Sequence, residues 1–169
     1  MNTPHSSRIG VLFVCMGNIC RSPLAKALFD HHTRRAGRDL EFDIDSCGTG
    51  AWHAGQSADP RTIQIASAYQ IPLTHRARQF DAATDLPRFA CILAMDLANI
   101  RSLSHMGCPE SRVTLLRSFD PALAGTDGSR LEVPDPYYGG DQGFELMYRM
   151  IDAACQGLLI HLSPPPQTG

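Results

Sequence analysis

The chain has 169 residues, enough for one domain with a substantial core and too few to expect two. Its 15 Lys and Arg side chains nearly balance 17 Asp and Glu side chains, giving a formal net charge of -2. Nothing in this balance favours a nucleic-acid or membrane partner, so any cationic site must be local. The N-terminal residues are polar and the apolar run after them is too short to span a bilayer, so we expect a cytoplasmic protein with reduced thiols.

The first predicted element is a short apolar run over residues 9–14, which indicates a buried strand and ends at Cys15. A loop follows, and then a helical pattern that we expect to begin at Ser22 or Pro23. Proline at the first helical position loses no hydrogen bond. Gly37 is expected to end this helix.

The rest of the chain alternates between predicted strands and helices. Apolar residues alternating with acidic ones indicate a half-exposed edge strand at Leu40, Phe42 and Ile44. The later predicted elements are a loop over 46–60, a helix over 60–69, a buried central strand over 89–95, a short helix over 97–103, a strand over 113–116, a long loop and a final helix over 144–162. This order predicts a three-layer α/β fold with a small parallel sheet, in one domain over 8–162. We expect disorder over 1–7 and 163–169.

The loop between the first strand and the first helix has the composition of an anion site. Five residues, Met16 to Cys20, separate Cys15 from Arg21. Backbone N–H groups of a loop entering a helix carry partial positive charge and form a cradle for an anion such as phosphate. Arg21 adds a planar fork that binds two phosphate oxygens at once. The same field favours the thiolate form of Cys15, so the loop is predicted to hold both a phosphate site and a nucleophile.

The string VCMGNICRSP, residues 14–23, closely resembles the signature of the low-molecular-weight protein tyrosine phosphatases. The segment VPDPYYGG, residues 133–140, resembles the acid-bearing loop of the same family. The resemblance covers residues 8–162. It implies a four-stranded parallel sheet flanked by helices, with the phosphate loop between strand 1 and helix 1. It also implies a protein phosphotyrosine substrate, hydrolysis of small aryl phosphates, and inorganic phosphate as product, without a metal or cofactor.

The predicted mechanism has two steps. Cys15 attacks the phosphorus while Asp135 protonates the departing phenolate, and Asp135 then takes a proton from the water that hydrolyses the cysteinyl phosphate. Arg21 and the loop amides stabilise the charge on the phosphoryl oxygens. Taken alone, an Asp before a proline is also typical of a turn. The predicted phosphate-binding residues are Met16, Gly17, Asn18, Ile19, Cys20, Arg21 and Ser22.

Several polar residues are candidates for supporting this loop. Ser22 either caps the first helix or, as the resemblance implies, donates a hydrogen bond to the nucleophilic thiolate. Asn18 tolerates a left-handed backbone and is expected to shape the loop. The resemblance implies that Ser46 and His75 hydrogen-bond to Asn18. Asp96 is expected either to lie near the loop or to cap a helix.

The resemblance also implies an aromatic crevice that is too deep for phosphoserine to reach the thiol. Trp52 is placed at one rim, and Tyr137 and Tyr138 on the opposite wall, although a lone tryptophan is also typical of a core. His53 is a candidate for tuning specificity. The resemblance implies that Cys20 captures oxidised Cys15 as a disulfide; the alternative is a small apolar filler.

Three alternatives remain open from the sequence. An arsenate reductase of the same fold relays electrons through two further cysteines placed close together, whereas Cys91 and Cys108 are far apart along this chain. A protein arginine phosphatase carries threonine where this loop has Ile19. A non-catalytic phosphotyrosine-binding module is disfavoured because the nucleophile, the arginine and the acid are all present.

Overall fold

The computed structural model describes residues 8–163, and within that range the predicted four-stranded parallel sheet is confirmed. Its strands are β1 (Ile9–Cys15), β2 (Phe42–Gly48), β3 (Cys91–Ala94) and β4 (Val113–Leu115), in the order β2-β1-β3-β4. The flanking helices are α1 (Arg21–Arg35), α2 (Pro60–Ala68), α3 (Ala82–Arg88), α4 (Leu97–His105) and α5 (Asp141–His161). All three strand pairs are parallel, so the carboxyl ends meet at one edge.

The alternation of side chains along β1 produces the three layers. Val11 and Phe13 point to a core shared with α1, α2 and α5. Leu12 and Val14 point to a second core on the opposite face, where α3 and α4 contribute. All four side chains are fully buried. A strand covered on both faces must be apolar throughout, which is why the run over 9–14 was recognisable from the sequence.

The second strand differs from its prediction at both ends. Leu40 lies in a 3-10 turn before the strand and is 74% exposed, so the predicted start was wrong. Burial begins at Phe42, whose ring packs edge-on against Phe29 at 5.3 Å between centroids. The strand then continues to Gly48, because it pairs in parallel along the whole of β1. The edge position is as predicted, and the longer strand brings Ser46 beside the phosphate loop.

Helices α1 and α3 differ from the sequence prediction. Helix α1 begins at Arg21, one residue before the predicted range, and its end at Gly37 is confirmed by the left-handed φ of +68° there. Helix α3 was not predicted. Its start carries a usual signal, because the Asp81 side chain accepts a hydrogen bond from the Ala83 N–H at 3.0 Å, but the helix is short and holds Pro87.

The predicted disordered segments, 1–7 and 163–169, lie outside the described residues except for Ser163. Its Oγ accepts a hydrogen bond from Arg38 Nη1 at 2.7 Å, and its N–H donates to the Ile160 carbonyl at 3.1 Å. Among the helices of residues 8–163, none has the length and apolar composition needed to cross a membrane.

Two glycines of α5 differ in the space around them, and this gives a stability prediction. A Cβ on Gly157 would lie 1.8 Å from the Phe119 carbonyl oxygen, whereas one on Gly143 would meet Pro136 Cβ at 3.6 Å. Gly157→Ala should lower the free energy of unfolding by about 1–3 kcal/mol, because the two backbones must separate. Gly143→Ala should raise it by about 0.5–1 kcal/mol, because alanine is the better helix former. Urea unfolding of both variants measures this, and equal stabilities would contradict the prediction.

Candidate active site

The predicted nucleophile lines a cleft of about 270 Å³ at the carboxyl edge of the sheet. Cys15 is the last residue of β1, and the loop over 16–20 connects it directly to α1. The structure brings together residues from three separate parts of the chain, 15–21, 52–53 and 135–138. The cleft is lined by Cys15, Met16, Gly17, Ile19, Cys20, Arg21, Trp52, His53, Asp135, Tyr137 and Tyr138.

Asn18 hydrogen-bonds to residues of several elements around the loop. Its φ of +56° is left-handed, and its side chain is fully buried. Nδ2 donates to the hydroxyl oxygens of Ser22 at 2.8 Å and Ser46 at 3.1 Å. Oδ1 accepts from the Arg78 N–H at 2.9 Å, and the Asn18 carbonyl accepts from His75 Nε2 at 2.6 Å. Both residues predicted to support Asn18 therefore contact it, and every polar atom of the amide side chain has a partner.

The segment over 75–79 contacts the loop through His75 and Arg78, which both hydrogen-bond to Asn18. Burial lowers the pKa of His75, and the hydrogen bond to the Asn18 carbonyl opposes that effect. A carbonyl only accepts, so Nε2 carries the ring proton. The Arg78 guanidinium is anchored in turn by Asp45 at 3.1 Å and Asp85 at 3.0 Å. The sequence offered no local signal for these ion pairs, since the partners lie in different elements.

Ser22 contacts the nucleophile and does not cap α1. The N-cap position is Cys20, without a side-chain cap, so the capping interpretation was wrong. Ser22 Oγ lies 2.9 Å from Cys15 Sγ. Because Oγ accepts from Asn18 Nδ2, its own hydrogen is left for an acceptor, and the sulfur is nearer than the Cys47 carbonyl at 3.4 Å. The Ser22 hydroxyl therefore donates its hydrogen to the Cys15 sulfur.

Arg21 is a buried cation held by two carboxylates. It is 2% exposed, and Nη1 donates to Asp96 Oδ2 at 2.6 Å and to the Val133 carbonyl at 3.0 Å. Nη2 donates to Asp135 Oδ2 at 3.2 Å. Burial opposes the charge, but Cys15 and then the two carboxylates raise the pKa of Arg21. The guanidinium therefore presents a permanent positive charge beside the thiol.

Asp96 fulfils both interpretations offered for it, one with each oxygen. Oδ1 accepts from the Asn99 N–H at 2.7 Å and caps α4, while Oδ2 accepts from Arg21. The cap is reciprocal, because the Asn99 side chain accepts from the Asp96 N–H. Helix α4 thus fixes the carboxylate that orients the guanidinium.

Asp135 is likewise both a turn residue and a cleft residue. Its Oδ1 accepts from the Tyr137 N–H at 3.0 Å, which is the turn bond expected of an Asp before a proline. Its Oδ2 faces the cleft and accepts from Arg21. The side chain is 32% exposed, so it is open to water.

The cleft walls are aromatic and exposed. Trp52 is 60% exposed, so the core interpretation was wrong; its ring occupies the space where Gly50 lacks a Cβ. The His53 ring lies between Trp52 and Tyr137, at centroid distances of 6.3 and 6.4 Å. Tyr138 lines the mouth with most of its surface open and meets Tyr137 edge-on. Such a rim suits a planar ring.

Cys20 lies in the loop as a buried thiol. Burial and then the nearby Asp59 carboxylate raise the pKa of Cys20 to about 12. All six cysteines of the chain are free thiols. At neutral pH Cys20 is therefore protonated and a weak nucleophile.

Three residues next to the site were missed by sequence reasoning. Gly48 lets β2 approach the loop, because a Cβ there would lie 2.8 Å from the Met16 carbonyl oxygen. Asp59 caps α2, and its place before Pro60 was a usable signal. Arg61 reaches the segment 133–140, called the acid loop below, where its Nη2 donates to the Tyr137 carbonyl at 3.1 Å. No local sequence pattern indicated this contact.

Known proteins are similar to this chain in sequence and in fold. Residues 10–166 match the family model described as low molecular weight phosphotyrosine protein phosphatase. A low molecular weight protein-tyrosine-phosphatase of Streptomyces coelicolor is 46% identical over 152 residues, which cover 88% of this chain and 90% of that one.

Two crystal structures show the same likeness. A protein tyrosine phosphatase from Entamoeba histolytica has a TM-score of 0.81 and 32% identity, covering 91% of this chain and 96% of that chain. A Drosophila arginine phosphatase has a TM-score of 0.79 and 30% identity, covering 91% of this chain and 98% of that chain. The match to the family model spans most of the chain, and the predicted loop lies inside it. The chain therefore belongs to the low molecular weight phosphotyrosine protein phosphatase family.

Proposed function

We propose that this protein hydrolyses phosphotyrosine in proteins, and small aryl phosphates, through a cysteinyl-phosphate intermediate. The observation that carries the proposal is the convergence of Cys15, Arg21 and Asp135 on one cleft. A thiol, a fixed cation and a carboxyl group are the three groups that metal-independent phosphoryl transfer through cysteine requires. Family membership supports the same reaction.

In the first step the Cys15 sulfur attacks the phosphorus and the bond to the phenolate oxygen breaks. Arg21 and the amides of the loop bind the phosphoryl oxygens, where charge is greatest. Asp135 gives its proton to the phenolate, a leaving group as basic as tyrosine itself. When the phosphoryl group engages the Arg21 fork, the bond from Arg21 to Asp135 Oδ2 is released, and that oxygen can carry the proton.

In the second step water attacks the phosphorus and the sulfur leaves as a thiolate. Asp135 takes the proton of the attacking water, and inorganic phosphate is released. The 2.9 Å contact with Ser22 supports this step, because a hydrogen bond to sulfur stabilises the departing thiolate. Asn18 directs that hydroxyl, so the buried hydrogen bonds of the loop act on the chemistry through Ser22.

The walls of the cleft favour phosphotyrosine. Stacking of a phenyl ring between aromatic side chains contributes about 1 kcal/mol beyond the buried area. Trp52, His53 and Tyr137 offer such surfaces, whereas the short side chain of phosphoserine leaves them uncovered. Ile19 also lines the cleft and has no group to accept a hydrogen bond from a guanidinium, which argues against phosphoarginine.

The similar Drosophila arginine phosphatase makes phosphoarginine the second candidate substrate. An arsenate reductase is less favoured, because burial raises the pKa of both Cys91 and Cys108 and so disfavours the thiolates that an electron relay needs.

A substrate panel without added metal tests the proposal. We expect a phosphotyrosine peptide to be hydrolysed with a higher kcat/KM than phosphoserine or phosphoarginine, and arsenate not to be reduced. Cys15→Ser is the control: it keeps the loop amides and Arg21, so it should bind inorganic phosphate and turn over nothing. Higher kcat/KM for phosphoarginine would overturn the substrate, and appreciable activity of Cys15→Ser would overturn the nucleophile.

Asp135→Ala tests the acid. Hydrolysis of phenyl phosphate should slow by about 10² to 10⁴, because a basic phenolate must leave unprotonated. Asp135→Asn is the matched variant, since it can still accept from the Tyr137 N–H but cannot give up a proton. Steady-state kinetics of both variants measures the effect, and an unchanged rate in either would remove Asp135 from the mechanism.

We place this reaction in the cytoplasm and propose that it is redox-regulated. The six free thiols support both points. Hydrogen peroxide oxidises the Cys15 thiolate to a sulfenic acid, which condenses with the Cys20 thiol to give a disulfide and water. Because the pKa of Cys20 is raised to about 12, little of this thiol is ionised at neutral pH, and the capture should become faster as the pH rises.

Peroxide inactivation followed by dithiothreitol tests this regulation. Wild type should recover most of its activity, because the disulfide is reducible. Cys20→Ser should stay inactive, because its sulfenic acid proceeds to irreversible acids. Equal recovery of the two proteins would contradict the proposal.

A further inference from the structure

A single guanidinium joins three elements beside the cleft. Arg61 lies in the first turn of α2 and grips the Asp59 carboxylate with two bonds, from Nε at 3.0 Å and from Nη2 at 2.9 Å. The same Nη2 donates to the Tyr137 carbonyl in the acid loop at 3.1 Å. Its plane also covers the rings of Phe144, at 4.6 Å, and Tyr137, at 5.6 Å. Helix α2, the acid loop and helix α5 therefore share one cation.

Asp59, the carboxylate that binds Arg61, also hydrogen-bonds to the phosphate loop. The Asp59 N–H donates to the Ile19 carbonyl at 2.8 Å, and Asp59 Oδ1 also accepts from the Arg61 N–H at 2.8 Å. Asp59 is 8% exposed. Its hydrogen bond with Arg61 lowers the pKa of Asp59 against the effect of burial, so the pair is ionised and the bonds are charge-assisted. The ion pair is thereby fixed to the loop that binds phosphate.

The other end of this linkage reaches the proposed acid. Tyr137 uses both of its backbone polar groups: its N–H donates to Asp135 Oδ1 at 3.0 Å, and its carbonyl accepts from Arg61. Within the described part of the chain, two hydrogen bonds tie residues 134–139 to other segments, one from Arg21 to Asp135 and one from Arg61 to Tyr137. The prolines at 134 and 136 have no N–H to donate.

These two ties respond differently to substrate. In the proposed mechanism the phosphoryl group takes over the Arg21 fork, and the bond from Arg21 to Asp135 weakens at the moment when the acid is needed. Arg61 does not line the cleft around Cys15, so its bond to the Tyr137 carbonyl persists.

We propose that Arg61, held by Asp59, is a positioning residue that keeps Asp135 over the leaving-group oxygen while substrate occupies Arg21. The proposal rests on the proposed role of Asp135 as the acid. Arg61 touches neither the substrate nor the reacting atoms. It acts through the backbone of Tyr137, and misplacement of a catalytic group by about 1 Å costs up to about 100-fold in rate.

Leaving-group dependence distinguishes positioning of the acid from a general structural role. Arg61→Met keeps an unbranched side chain against Phe144 and removes the charge. We expect it to lower kcat/KM for phenyl phosphate by about tenfold. Dinitrophenyl phosphate should lose less than about twofold, because its leaving group departs without a proton. Affinity for inorganic phosphate should stay as in wild type, since the backbone hydrogen bond from Asp59 to the Ile19 carbonyl of the phosphate loop is kept.

Two further variants make the test robust. Asp59→Asn still caps α2 but loses the charge-assisted grip on Arg61, so it should shift the same leaving-group ratio in the same direction. If Arg61→Met fails to fold, the leaving-group ratio of Asp59→Asn tests the proposal in its place. Arg35→Met, at an exposed position near the end of α1, is the matched control and should behave as wild type.

A double-mutant cycle separates this inference from the proposed function. In the Asp135→Ala background, Arg61→Met should cause no further loss with phenyl phosphate, because the group that it positions is absent. Equal losses with both substrates, or additive losses in the double variant, would overturn the positioning role. If Asp135→Ala alone left phenyl phosphate hydrolysis unchanged, the proposed acid would fail and the positioning role with it.

Discussion

The burial of one positive charge organises this molecule. Arg21 is almost completely removed from water, and an unpaired guanidinium in that position would cost several kcal/mol. The chain meets that requirement with Asp96, Asp135 and the Val133 carbonyl, all more than 70 positions away in sequence. One of these partners, Asp135, also lines the cleft that holds the Cys15 thiol, and the cation itself lies beside that thiol. Stability of the fold and assembly of the anion site are, at this point, the same requirement.

The parallel sheet makes this convergence possible. Strands β1 and β3 are neighbours and end at the same edge, so Cys15 and Asp96 emerge side by side although β2 intervenes in sequence. The loop over 16–20, between β1 and α1, would not hold its shape through backbone hydrogen bonds alone, because Asn18 occupies a left-handed conformation. Its amide is instead fully paired with partners from α1, β2 and the segment over 75–79. A fully satisfied buried network of this kind is rigid, which is what a preorganised phosphate site needs.

Sequence reasoning reached the parts of this structure that have local causes. The strand over 9–14 was readable because burial on both faces demands apolar residues, and the left-handed Asn18 because few residues tolerate that backbone. The family motifs pointed to Cys15, Arg21 and Asp135, and the structure places these three residues around one cleft. Leu40 was misassigned because alternation shows which residues could be half-buried and not where the neighbouring strand begins. The role of Arg61 could not be predicted from the sequence, because its partners are a backbone carbonyl and two rings on other elements. Such contacts produce no periodic pattern in the sequence.

The centre of the cleft, around Cys15, and its rim, at Trp52 and Tyr138, tolerate substitution differently. Around the sulfur the buried side chains of Asn18, Ser22 and Arg21 are hydrogen-bonded: removing the Asp96 carboxylate would take away both the cap of α4 and one of the carboxylates that balance the buried guanidinium. At the rim Trp52 and Tyr138 are exposed, and a change there leaves no buried polar group unsatisfied. The rim can vary at little cost in stability while the centre cannot. Similar structures of this fold include a tyrosine phosphatase and an arginine phosphatase, so substrate choice must be argued from the residues that line the cleft, Ile19 of the loop among them.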